Sequence, residues 1–274
     1  MARESVEANY TDFTTKFEGK LPFMYLDVKG LVTTGIGNLI DPIGAALSLP
    51  WVHTNGAPAS QDEIRSAWNA VKARQDMKLR GGGAFAGVTD LRLTDDGIRQ
   101  LVNDKLRANE AILRKRFPTY DNWPADAQLG LLSMAWAMGP NFRYPKFEAA
   151  VNALVPDFAA AAKESYINDA NNPGLRPRNV ANESLFMAAA DTLKNNLDVT
   201  AINWSGFDDL MRKGVAAVSS AAQTGAKTYV KTQRKLLVPG LSILGLSAIA
   251  YGAYEYRDDI QRGVKRAVKR VKGS

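Results

Sequence analysis

The chain has no cysteine and one histidine among its 274 residues. Without thiols there is no disulfide framework and no thiolate ligand, so nothing in the protein depends on the redox state of its compartment. His53 lies among Thr, Asn, Gly and Pro, a setting that reads as an exposed loop and not as a catalytic base. The glycine run 81–83 is not followed by Gly-Lys-Ser/Thr, which excludes a phosphate loop of that kind. The basic C-terminal residues carry no interleaved aromatic side chain and no DNA-binding motif, so nucleic acid is a poor fit as a partner. Residues 1–9 are polar and lack an apolar core, and the N-terminus therefore reads as carrying no secretory leader.

What is present is a compact set of carboxylates, hydroxyls and glycines near the start. Asp27 follows Glu18 by nine positions and Thr33 follows Asp27 by six, within Phe17-Glu18-Gly19, Tyr25-Leu26-Asp27 and the run from Gly30 to Gly37. Residues 6–17 read as a helix with Val6, Tyr10, Phe13 and Phe17 on one stripe, ended by Gly19, which leaves Glu18 at its C-terminal end. Residues 23–27 read as a strand, 28–30 as a turn and 31–34 as the returning strand, so Asp27 and Thr33 come from opposite arms of one hairpin. Gly35 and Gly37 free the backbone for unusual torsions and close approach by a ligand. Cleaving a glycosidic bond with inversion needs a carboxylic acid to protonate the leaving oxygen and a second group to hold water on the opposite face. Glu18 suits the first task. An Asp27 carboxylate accepting from that water, with the Thr33 hydroxyl orienting it, suits the second.

On these residues the chain resembles the phage-type lysozymes, glycoside hydrolase family 24, whose motif is E-x8-D-x5-T followed by a G-x-G turn. The resemblance implies hydrolysis of the β-1,4 bond between N-acetylmuramic acid and N-acetylglucosamine in peptidoglycan glycan strands. Glu18, Asp27 and Thr33 would carry the catalytic roles, and Tyr25, Gly35, Gly37, Asn38 and Arg178 would line the substrate cleft. No metal or organic cofactor is implied. The family often has His after its second glycine, where this chain has Asn38, a residue that hydrogen-bonds but carries no charge.

The resemblance continues less sharply to about residue 195. Thr94 caps a helix over residues 95–117, and in the family a long helix of this kind joins two lobes. Pro124 opens a second helix that is apolar nearly all round until Gly139-Pro140, which reads as a buried central helix. Shorter helices are expected over 146–154 and 157–166. Gly174, Leu175, Arg178 and Leu185 match a G-L-x-x-R-R-x-x-E-x-x-L element, although Asn179 replaces its second arginine and the Glu falls one position late, at Glu183. Arg178 would either meet substrate or pair with a carboxylate that holds the small helical lobe together. Ser60-Gln61-Asp62-Glu63 is a capping box for a helix to about residue 78, flanked by loops that make 41–93 look like an insertion at the edge of the cleft.

The C-terminal third does not belong to a lysozyme. Residues 198–235 read as a linker and helical stalk, and 236–254 carry no charge and as a helix would span close to the roughly 30 Å of a bilayer core. Residues 236–256 are therefore expected as a transmembrane helix, or as a buried helix of an oligomer or protein tunnel, and 257–274 as a basic amphipathic helix on an anionic membrane. Much of the formal charge of +7 sits in this tail.

The expected fold class is α+β, mainly α, a two-lobed lysozyme fold with a small β-hairpin and a catalytic domain over 1–197. The expected function is a virion-associated, membrane-anchored phage muramidase that opens the host envelope locally for genome entry, alongside other ejection proteins. A membrane-tethered endolysin for host lysis and a structural conduit protein with an inactive lysozyme fold are the alternatives.

Overall fold

The structure, a computed structural model, describes residues 2–170 and 172–209. The expected stalk beyond residue 209, the expected transmembrane or buried helix 236–256 and the expected basic amphipathic tail 257–274 lie outside the described residues. Among the described residues no helix is long and apolar enough to cross a membrane. The architecture is α+β and mainly α, with two small antiparallel sheets among the described residues. It divides into two units, one over Glu7–Ala111 and one made of the residues up to Val6 together with those from Ile112 onward.

The expected first helix is α1, Glu4–Glu18, which from Glu7 onward belongs to the Glu7–Ala111 unit, and Val6, Tyr10 and Phe13 on the stripe read from sequence are buried. Gly19 ends it in the left-handed region, φ 72°, its N–H donating to the Thr15 carbonyl at 3.0 Å. The expected hairpin is β1, Leu21–Leu26, against β2, Val32–Gly35, with Tyr25 opposite Thr33 and Leu26 opposite Val32. A two-residue strand β3, Asn38–Leu39, completes the sheet in the order β1-β2-β3. Two residues are too few to show a strand period, so nothing in the sequence announced it.

The 41–93 segment is more ordered than its loops suggested. It contains a short α2, Gly44–Leu47, then β4, Trp51–His53, which pairs antiparallel with β5, Leu91–Leu93. Between them lies α3, Gln61–Ala73. The capping box forms: Glu63 N–H donates to Ser60 Oγ at 3.3 Å and Ser60 N–H to Glu63 Oε2 at 2.7 Å. The helix stops at Ala73, short of residue 78, because Arg74 leaves helical torsions and the Gln75 amide turns back to the exposed Lys72 carbonyl at 3.0 Å. A single 3-10 turn, Gln75–Met77, follows. Next comes α4, Asp95–Arg116, whose first turn is capped by Thr94 Oγ1 accepting from Gly97 N–H at 3.1 Å.

The other unit is built round α5, Ala125–Met138, in which every residue from Ala125 to Trp136 is buried. This is the apolar central helix expected from sequence. Shorter helices α6, Pro145–Val151, and α7, Phe158–Glu164, follow, and α8, Arg176–Lys194, packs on α5. A Cβ on Gly130 would stand 3.1 Å from the Phe186 ring, so the glycine sets how closely α5 and α8 approach. Aromatic rings fill the remaining space: Phe117 meets Trp123 and Phe147, and Phe147 meets Phe186 at 5.1 Å in an edge-on contact.

Residues 198–207, expected as a linker, strap the start of α5. The Val199 carbonyl accepts from Ala125 N–H at 2.9 Å, Asn203 N–H donates to Asp126 Oδ1 at 2.9 Å, and Ile202 and Phe207 are buried. Asp126 is fully buried and also accepts from Thr192 Oγ1 at 3.4 Å. Burial raises its pKa to about 6, against the pull of these donors.

A buried carboxyl with a raised pKa favours its neutral form, so its penalty is absent below the unfolded value, 3.8, grows between there and about 6, and is complete above. Asp126→Asn keeps an acceptor for Asn203 N–H and cannot ionise. It is expected to raise stability by about 1–3 kcal/mol at pH 7–8 and to add nothing near pH 3. Denaturant melts of both chains at the two pH values check this.

Candidate functional site

The site begins with a turn. Val28, Lys29 and Gly30 connect β1 to β2, Gly30 N–H donates to the Asp27 carbonyl at 2.9 Å, and Gly30 takes φ 78°. This is the geometry of a three-residue hairpin loop whose last residue must be left-handed. The Asp27 side chain is part of the same turn, with Oδ1 accepting from Lys29 N–H at 2.8 Å and from Leu31 N–H at 2.9 Å. Two backbone donors on one oxygen hold the carboxylate in a single orientation. The other oxygen, Oδ2, is the one this arrangement turns to other partners.

Thr33 is brought to the same face. Tyr25 and Thr33 are direct cross-strand partners and Asp27 lies two residues beyond Tyr25, so Asp27 and Thr33 are diagonal neighbours on one side of the hairpin. The Thr33 hydroxyl, 5% exposed, donates to the Leu31 carbonyl at 3.2 Å. That carbonyl also accepts from Asp27 N–H at 2.9 Å. With its proton so directed, Thr33 Oγ1 keeps its lone pairs as acceptors, as the Asp27 carboxylate does.

Glu18 is exposed at the last position of α1. Its carboxylate reaches Gly37, where a Cβ would lie 3.9 Å from Glu18 Oε2. Tyr25 reports the charges around it. Its hydroxyl pKa is pushed up to about 12, first by burial, then by the negative charges of Glu18 and Asp27, while a hydrogen bond from the Gly37 backbone offsets part of the rise. Glu18, Tyr25, Asp27, Thr33 and Gly37 therefore gather in one place.

Gly35 and Gly37 both have positive φ, 64° and 83°. Asn38 is placed differently from a cleft residue: it is 3% exposed, its Oδ1 accepts from Ile36 N–H at 3.3 Å and its Nδ2 reaches the Leu101 carbonyl in α4 at 3.5 Å. It ties the G-x-G turn to α4, and its burial argues against a direct substrate contact. Arg178 is 1% exposed inside the helical unit, donating to the Ser133 carbonyl at 3.2 Å and to Ser133 Oγ at 3.1 Å. Its burial sets it apart from a cleft residue, and these bonds join α8 to α5 through Ser133.

His53 ends β4 and is not in an irregular loop. Its Nδ1 is 2.7 Å from Asp90 Oδ2 and its Nε2 3.3 Å from Glu63 Oε1. The Asp90 hydrogen bond, with help from Glu63, raises its pKa above the usual imidazole value, so it pins β4 to α3 and to the approach of β5. Among the described residues no cluster of three or more His, Asp or Glu side chains is arranged to hold a metal.

Sequence reasoning passed over Asp41, Lys72 and Gln75. Lys72 Nζ lies 2.6 Å from Asp41 Oδ2 and 3.0 Å from the Gly30 carbonyl, and Gln75 Nε2 donates to that carbonyl at 3.2 Å. Asp41 Oδ2 also accepts from Val32 N–H at 3.1 Å. Although burial opposes its ionisation, Lys72 and the Val32 amide hold Asp41 below the usual carboxylate range. Gly30 was the only signal available, and it marks the turn without naming what grips it.

No family model, curated protein or solved structure matches this chain.

The two roles of Asp27, anchoring the turn and presenting a charge, are separable. Asp27→Asn retains the Oδ1 acceptor and is expected to keep stability within about 1 kcal/mol. Asp27→Ala leaves two backbone donors without their partner and is expected to lose about 1–3 kcal/mol. Thermal melts of the two variants should rank in that order.

Proposed function

We propose that the chain is an inverting muramidase that hydrolyses the β-1,4 bonds of peptidoglycan glycan strands, with a two-lobed lysozyme fold. The single observation that carries this reading is the one-sided placement of Asp27 and Thr33, two acceptors on one hairpin face, with the Glu18 charge felt at the same Tyr25 hydroxyl as that of Asp27. A water donating one hydrogen to Asp27 and the other to Thr33 Oγ1 keeps a lone pair free for the anomeric carbon. As its oxygen bonds to that carbon, the water's proton passes to Asp27. Glu18 gives its proton to the departing glycosidic oxygen, and the C–O bond breaks to leave two hydroxyls with the configuration inverted.

The E-x8-D-x5-T spacing supports the substrate class, and the exposure of Glu18 and Gly37 supports access for a polymer. The uncharged run 236–254 and the basic tail support a membrane-tethered enzyme carried in a phage virion, acting locally on the host envelope at entry. Mass spectrometry of purified virions tests that placement, and absence of the chain from particles would favour the endolysin role.

In the full-length chain Glu18→Gln is expected to lower the rate of peptidoglycan solubilisation by about 10²–10⁴-fold while leaving the melting temperature nearly unchanged. NMR of the first-formed products should show reducing muramic ends of inverted configuration. Retained configuration, or 1,6-anhydro ends, would overturn the water-attack mechanism. Full activity of Glu18→Gln would remove Glu18 from it.

A further inference from the structure

The insertion over residues 41–93 supplies the grip on the Asp27 turn, and the grip acts through one peptide group. The carbonyl of Gly30 and the N–H of Leu31 belong to the same planar unit, so they cannot rotate independently. On its carbonyl side this unit is held by Lys72 Nζ at 3.0 Å and by Gln75 Nε2 at 3.2 Å. On its amide side it donates to Asp27 Oδ1 at 2.9 Å. We propose that Lys72, with Gln75, is a positioning residue for the water-holding carboxylate, fixing the Asp27 orientation through the Gly30–Leu31 peptide; this rests on the muramidase reading of the site.

Three features set this apart from ordinary packing. Lys72 is oriented as well as charged, because Asp41 Oδ2 holds the ammonium at 2.6 Å and is itself fixed by Val32 N–H in β2 at 3.1 Å. The lysine thus closes a ring that joins the end of α3 to the last residue of the turn and to the start of β2. A charged donor on a peptide carbonyl polarises the whole unit and strengthens the hydrogen bond its N–H makes, here the one to Asp27. Finally, Gly30 leaves room for these donors: a Cβ at that position would fall 2.2 Å from Gln75 Oε1. The glycine that the turn requires for its positive φ is also what admits the clamp.

The same peptide ladder reaches Thr33. The Leu31 carbonyl accepts from both Thr33 Oγ1 and Asp27 N–H, so a tilt of the turn would move both acceptors of the attacking water together. Misplacement of a reacting group by about 1 Å costs on the order of 10²-fold in rate. The loss should fall on kcat, since the glycan's binding contacts are not what the clamp holds.

The test uses the full chain with three substitutions, Lys72→Met, Lys72→Arg and Gln75→Leu. Each is assayed for kcat and KM on solubilised peptidoglycan strands, for melting temperature, and by the ¹⁵N–¹H signal and exchange rate of the Leu31 amide. Lys72→Met is expected to lower kcat by about 10–100-fold with KM within about twofold, to move the Leu31 amide upfield and to speed its exchange. Lys72→Arg, which can hold both Asp41 and the Gly30 carbonyl, should restore most of the rate. Gln75→Leu, at an exposed position that leaves the ion pair intact, should fold normally and lose a smaller factor, about 3–10-fold.

Full kcat in both Lys72→Met and Gln75→Leu with an unmoved Leu31 amide, the unsubstituted chain being active, would overturn the positioning role and leave the muramidase reading standing. A Lys72→Met chain that loses activity only in proportion to lost folded protein, with Gln75→Leu fully active, would also overturn it. No turnover by the unsubstituted chain would instead overturn the muramidase reading, and the catalytic role of the clamp with it.

Discussion

The backbone of Leu31 holds the candidate site together. Its N–H fixes one oxygen of Asp27, and its carbonyl takes the Thr33 hydroxyl proton and the Asp27 N–H. One residue with an ordinary apolar side chain thus determines where two polar groups point. The arrangement follows from a three-residue turn ending in a left-handed Gly30, because only that turn brings Leu31 back beside Asp27 in register with Tyr25 opposite Thr33. Short polar side chains close to a turn favour such local bonds to backbone, and here the preference organises the site.

Around this turn the 41–93 segment is part of the support. Lys72, Asp41 and Gln75 meet at the Gly30 carbonyl, and the His53 contacts with Glu63 and Asp90 tie β4 to the start of α3 and to the approach of β5. The exposed His53 pairs add little stability singly. Their value lies in direction, since each joins elements far apart in sequence whose apolar contacts alone would permit some slippage. Asn38 does the same for the G-x-G turn, binding it to α4 with a buried amide where a charged residue would have needed a partner.

The helical unit follows a different logic. Its central helix is buried all round, so its position is set by shape: Gly130 against Phe186, the ring cluster about Phe117, Trp123 and Phe147, and Arg178 bonded to Ser133. Asp126 is the exception, a buried carboxyl whose main partner is the backbone of the 198–207 strap. A charge placed there costs stability near neutral pH, and what it gains is a defined path for the chain as it leaves α8.

Local patterns in the sequence determined the helices with clear stripes or caps, the hairpin, and the order of Glu18, Asp27 and Thr33, because periodicity, capping boxes and turn glycines act over a few residues. The α3 capping box and the nearly all-apolar α5 were legible for that reason. The β4–β5 pair was not, since it joins three-residue strands nearly forty positions apart and neither has a period long enough to detect. Asn38 and Arg178 read as polar residues near a motif, and only packing decided that both are buried. The sequence likewise named the three residues that suit water attack but not what aims them. That was decided by the tertiary structure, because the Gly30–Leu31 peptide is held by a lysine and a glutamine more than forty residues away, a contact that no local pattern encodes.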